Sequence, residues 1–288
     1  MNPPQAVTLV AVAAGAGLMN AMAGGGTILV FPALLLLGES AITANATSTV
    51  ALLPAAVASM AGYRSDIEAH RQWLKTLVVP SLAGGALGSV LLLATPEKTF
   101  ARLAPLLVLF ATVLFMIQGI VSRRLASALS ADAADAADAA DAADAANTAA
   151  DAADAKAAPP SSSGPSRTGW VVASLFQFGV AVYGGYFGAG IGILMLAVLG
   201  FLGLSDIHAM NGIKNFFNLC INIVAAGYFI YHGAVDWPVA LTMMAGAIAG
   251  GYGGARFARR IGKEKARSAV VVIGLLVTAI LFWQQLRR

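Results

Sequence analysis

Two apolar runs in this sequence, 7–37 and 170–202, are too long for one straight membrane crossing, and clustered glycines interrupt each midway. A straight helix of about 31–33 residues would reach roughly 46–50 Å, against a hydrocarbon core of about 30 Å. Six further runs, at 44–62, 73–93, 103–121, 209–231, 237–255 and 268–286, have the length of a single crossing. With 58% hydrophobic and 11% charged residues, the chain departs from soluble domains, in which roughly 25% are charged. The sequence predicts an all-α polytopic membrane protein. Its opening stretch lacks a basic n-region and reads as the first membrane segment, not as a signal peptide. Cys220, the single cysteine, lies inside an apolar run, so no disulfide framework is expected.

The two long runs are also related to each other. At an offset of 165 positions Gly25 faces Gly190, Leu29 faces Leu194, Gly38 faces Gly203, Ala44 faces Ala209 and Tyr63 faces Tyr228. The glycines fall at Gly24, Gly25 and Gly26 in the first run and at Gly184, Gly185, Gly188, Gly190 and Gly192 in the second. Such clusters suit close helix packing in a long tilted helix. They also suit a broken segment, either re-entrant or a pair of half-helices, which survives in a membrane only against protein or a wet cavity. A glycine-broken segment repeated in two halves is the sequence trace of a carrier whose site lies between the repeats.

Charge separates the two readings. If each long run crosses once, basic residues divide eight against nine between the two sides. If each enters and leaves on one side, loops 64–75, 122–169 and 256–267 share a face with thirteen basic residues, against four opposite. The positive-inside rule favours the second arrangement. It predicts two inverted repeats, each a glycine-broken segment plus three transmembrane helices. Repeat one then spans 1–121, a cytoplasmic linker 122–169, and repeat two 170–288, with both termini periplasmic.

In the linker Asp132, Asp135, Asp138, Asp141 and Asp144 recur every third residue, followed by Asp151 and Asp154. That spacing drifts around a helix of 3.6 residues per turn and gives no apolar face to pack. The Pro159–Gly164 end reads as a flexible tether. The segment is expected to be an expendable, disordered connector.

Constellations for catalysis are missing from the sequence. Every acidic residue lies at an edge or loop of the apolar runs, and His70, His208 and His232 sit at segment ends without metal-ligand spacing. The GAGIG stretch follows no strand, so it is not a dinucleotide fingerprint. A non-enzymatic protein without cofactor or metal is expected.

Polar residues follow each glycine break. Half one has Asn45, Thr47, Ser48 and Thr49; half two has Asn211, Lys214, Asn215, Asn218 and Asn222. The four asparagines of half two share one helical face, and Lys214 lies four residues before Asn218. Packing between helices and snorkelling of Lys214 would account for some of this. An ionisable residue inside a membrane helix is nevertheless a functional candidate by default. Ammonium, amide and half-helix N–H groups are all donors, so the ligand they suit is an anion. The candidate substrate-binding set is Gly24, Gly25, Gly26, Asn45, Thr47, Ser48, Thr49, Gly188, Gly190, Asn211, Lys214, Asn215 and Asn218.

At these motifs, GAGLMNAMAGGGTILVFPALLLLG with ITANATS and GVAVYGGYFGAGIGILMLAVLGFLGLSDIHAMNGIKN, the chain resembles the sulfite exporter TauE/SafE-like family. That family is also called the toluene sulfonate uptake permease family. The resemblance covers both membrane halves and leaves out the Ala-Asp linker. It implies a bacterial inner-membrane carrier of sulfur oxyanions or organosulfonates such as sulfite or sulfoacetate, and the leading function is alternating-access transport of such an anion. An anion channel and a non-transporting scaffold are the rival functions. Expected partners are the small anionic substrate and the lipid bilayer, with no nucleic acid; oligomeric state is left open.

Overall fold

The computed structural model describes residues 2–22, 26–61, 71–117, 167–202, 204, 207–261 and 263–286. The linker from Asp132 to Asp154, most of the loop 64–75, and Gly24 and Gly25 lie outside the described residues. The described chain is helical: α1 Pro3–Met22, α2 Thr27–Leu36, α3 Ala41–Ala61 and α4 Arg71–Ala94, then α5 Glu97–Ile117. Half two supplies α6 Arg167–Tyr186, α7 Ile191–Phe201, α8 Ile207–Tyr231, α9 Trp237–Ile261 and α10 Lys263–Leu286.

Both overlong runs are broken at their glycines. The first divides into α1 and α2, the second into α6 and α7. The second break has a direct backbone cause: Gly188 and Gly190 both have φ +78°, a left-handed conformation that interrupts a right-handed helix and is unfavourable for residues with a Cβ. Short helices of 10 and 11 residues follow the breaks, about 15–17 Å each and near half the hydrocarbon thickness. Helices α3, α4, α5 and α8 are each long and apolar enough to cross a membrane.

The basic stretch 256–267 reads as a loop in the sequence, yet α9 runs on to Ile261 and α10 starts at Lys263. Arginine and lysine are good helix formers, so charge ends the apolar run without ending the helix.

The halves are interlocked. The most extensive helix contacts are α1 with α9 and α4 with α6, followed by α4 with α8 and α9 with α3. Each joins one half of the sequence to the other. One buried cluster draws on α1, α2, α3 and α5 together with Val239, Ala240, Met243 and Ala247 of α9, and takes in Leu92 of α4, Ala225, Ala226 and Phe229 of α8 and Val277 and Leu281 of α10. A second draws on α6, α7 and α8 together with Trp73 and Leu77 of α4. Glycine permits the closest approaches: a methyl at Gly250 would strike the Ala14 carbonyl, and one at Gly88 would strike the Val182 carbonyl. Small residues that let backbones meet this closely are the usual basis of helix association in lipid.

Candidate functional site

Each break is bridged by a side chain from the helix before it. In half one Asn20 Oδ1 accepts from the Gly26 N–H at 3.4 Å. In half two the Tyr183 hydroxyl donates to the Ala189 carbonyl at 2.7 Å, while the Tyr183 carbonyl accepts from the N–H groups of Phe187 and Gly188. Asn45 reaches across from α3 and donates through Nδ2 to the Tyr186 carbonyl at 3.0 Å, so half one secures the end of α6. These bonds satisfy backbone groups that a broken helix leaves without partners.

Beside the breaks lies a cavity of about 50 Å³, room for a few waters or a small oxyanion given the roughly 10–15 Å³ that one water needs. Half two lines it with Gly188, Gly190, the start of α7 and Lys214, Asn215, Asn218 and Asn222 of α8. Half one lines it with Asn20, Thr27, Thr49, Leu52, Leu53, Ala56 and Phe115. At the 165-residue offset Thr27 corresponds to Gly192, Thr49 to Lys214 and Leu53 to Asn218. Corresponding positions of the two halves thus meet in one cavity.

The wall from half two is rich in donors. Lys214 is 6% exposed, and its Nζ donates to Asn211 Oδ1 at 2.8 Å. That bond uses one of three ammonium N–H groups. Asn222 Nδ2 donates to both the carbonyl and Oδ1 of Asn218, at 2.7 and 2.9 Å. With Oδ1 occupied, the Asn218 amide has donors left to offer. Gly190 to Ile193 bring the positive end of α7 to the cavity. The Asn20 oxygen is likewise held by Gly26, which leaves its amide N–H groups. Among the described residues lining the cavity, Lys214 is the one that is ionisable.

The other residues singled out from the sequence divide clearly. Gly188, Gly190, Thr49, Lys214, Asn215 and Asn218 line the cavity, and Asn211 steadies Lys214 from the next turn. Asn45, Thr47 and Ser48 do not line it. Thr47 accepts from the Asp236 N–H at 3.0 Å and ties α3 to the start of α9. Ser48 donates to the Asn45 carbonyl within its own helix. Gly26 is buried against the Ala16 backbone. Thr49 donates to the Asn45 carbonyl at 2.9 Å, so it presents mainly lone pairs to the cavity.

Asn20, Thr27 and Phe115 also line the cavity, as do Leu52, Leu53, Ala56, Ile191, Gly192, Ile193 and Asn222, and all of these are absent from the sequence-derived set. Asn222 was already visible on the asparagine face, and Asn20 carried its own signal, an amide inside an apolar run just before a glycine cluster. Among the described residues no group of three or more His, Cys, Asp or Glu side chains is placed to hold a metal ion.

The family model described as sulfite exporter TauE/SafE matches residues 9–281. A probable membrane transporter protein of Haemophilus influenzae is 24% identical over 276 residues, covering 94% of this chain and 91% of the relative. A probable membrane transporter protein, ORF9, of a Sinorhizobium species is 31% identical over 98 residues, 33% of this chain and 37% of the relative. No solved structure matches. With a glycine-broken helical fold and a family match across nearly its whole length, the chain belongs to the TauE/SafE sulfite exporter family of membrane transporters.

Proposed function

We propose that this protein is a secondary transporter that moves a small anion, a sulfur oxyanion or organosulfonate, by alternating access at the cavity between its halves. One observation carries the reading: a buried lysine, asparagine amides and a half-helix N-terminus converge on one cavity lined by both halves. Donors with positive potential, and no carboxylate among the described lining residues, suit an anion. The description of the family, sulfite exporter, supports the sulfur chemistry.

The halves are proposed to be inverted repeats in a bacterial inner membrane. Reciprocal packing supports this, since α1 with α9 and α4 with α6 exchange under the 165-residue offset. So does the gathering of Gln5, Leu37, Glu39 and Asp236 around one cavity and of Glu39, Glu97 and Gln285 around another. The proposed topology puts all of these on the periplasmic side.

Flux in proteoliposomes tests the function. A carrier saturates with sulfite or a sulfonate, and unlabelled anion on the far side accelerates its exchange. Linear flux without trans-stimulation would make the protein a channel; no flux of any anion would make it a scaffold.

A further inference from the structure

Among the described residues, the lining of the cavity carries one formal charge. Thr49, the position equivalent to Lys214, is neutral, and so are Asn20, Thr27, Asn215, Asn218 and Asn222. A singly charged ligand would therefore leave the occupied site neutral, while a dianion would leave a net negative charge in the membrane interior. The desolvation penalty of a charge rises steeply when it has no counter-ion. Helix N-termini and amides offset part of that penalty as oriented dipoles, without adding a counter-charge. The ammonium is placed to act as that counter-ion: buried, held at one corner by Asn211, and without another protein acceptor among the described residues.

We propose that the site is matched to singly charged oxyanions and rejects dianions of the same size, with Lys214 as the residue that sets this specificity. Hydrogensulfite and simple monosulfonates fit; sulfite dianion and sulfate do not. The proposal rests on the transporter reading above and narrows its substrate class by charge.

A series around one tetrahedral sulfur tests it. Sulfate, methanesulfonate and dimethyl sulfone carry two, one and no negative charges as methyl replaces oxygen. Binding to the purified full-length protein is measured by thermal stabilisation at constant ionic strength. Methanesulfonate should bind best, exceeding sulfate by about ten-fold or more. In Lys214→Met this maximum at one charge should disappear. In Thr49→Lys, which adds a second ammonium at the equivalent position, sulfate should become the better ligand.

Sulfate binding as tightly as methanesulfonate would overturn the proposal; if that binding is lost in Lys214→Met, the anion site survives and only the charge matching fails. Affinity climbing steadily to dimethyl sulfone would also overturn it, showing an apolar preference from Leu52, Leu53 and Phe115. Binding of none of the three would remove the inference together with the site it rests on.

Discussion

Lys214 Nζ donates to Asn211 Oδ1 at 2.8 Å, one turn earlier on α8, and this bond holds a buried ammonium at the edge of the cavity. The amide neutralises nothing; it orients a charge whose counter-ion must come from elsewhere. Lys214→Met retains the apolar stem and removes the charge. A charge-assisted hydrogen bond contributes about 1.5–3 kcal/mol, so anion affinity should fall roughly 10- to 150-fold. Arginine should rescue only partly, because its planar fork places its donors differently. Wild-type affinity in Lys214→Met would remove the ammonium from the site.

The asparagines of α8 should act as a relay. Asn222 spends its amide on Asn218, which leaves the Asn218 amide facing the ligand. Asn218→Ala should lower affinity by about 0.5–1.5 kcal/mol, and Asn222→Ala should give a similar loss by releasing Asn218. The double variant should lose little more than either single one, as measured by titration of the three proteins. Additive losses would mean that the two amides act independently.

Thr47 and Thr49 are two residues apart but should have different phenotypes. Thr47→Val leaves the Asp236 N–H without its acceptor and should cost about 1–3 kcal/mol of stability while affinity stays unchanged. Thr49→Val should change affinity only slightly, because the hydroxyl proton is already given to the Asn45 carbonyl. Melting temperature and ligand titration separate the two effects.

Glycines of one helix type should differ according to what faces them. Gly250→Ala drives a methyl into the Ala14 backbone and should destabilise the protein by about 1–3 kcal/mol or prevent assembly. Gly227→Ala, with open space around it, should be neutral or stabilising. Thermal unfolding in detergent compares them directly.

Glu39 lies in the turn between α2 and α3, where burial and then the nearby Asp236 charge raise its pKa above the ordinary 4.5. A raised carboxyl favours folding when protonated, and this contribution is lost as pH rises through its folded-state pKa. Glu39→Gln should therefore raise the melting temperature at neutral pH. The gain should shrink as pH falls through the Glu39 pKa and vanish below the ordinary carboxylate range. A gain independent of pH would show that charge is not its source.

The helix breaks were legible because length and glycine content conflict with a single straight span. Lys214 and the asparagine face were legible because polar groups are conspicuous in an apolar run. Phe115 of α5 was not, and the Asn20 amide, though conspicuous in its apolar run, was not assignable to the site, since nothing local says which face of α1 meets which part of α8. Asn45 and Thr47 look like ligand groups in the sequence for a related reason. Their partners, the Tyr186 carbonyl and the Asp236 N–H, lie 141 and 189 residues away. The cross-half contacts of Gly88 and Gly250 depend on the same long-range geometry, which periodicity does not encode.

The exchange of α4 and α9 between the two buried clusters means that neither half of the sequence contains the walls of its own core. Half one made alone would expose the Gly84–Gly88 face of α4 with no α6 to receive it, and half two would expose Gly246 and Gly250 of α9. Each half is in effect a chaperone for the other. Joining them in one polypeptide fixes their stoichiometry at one to one and delivers both to the same patch of membrane. The mechanical bond between them lies in the glycine faces.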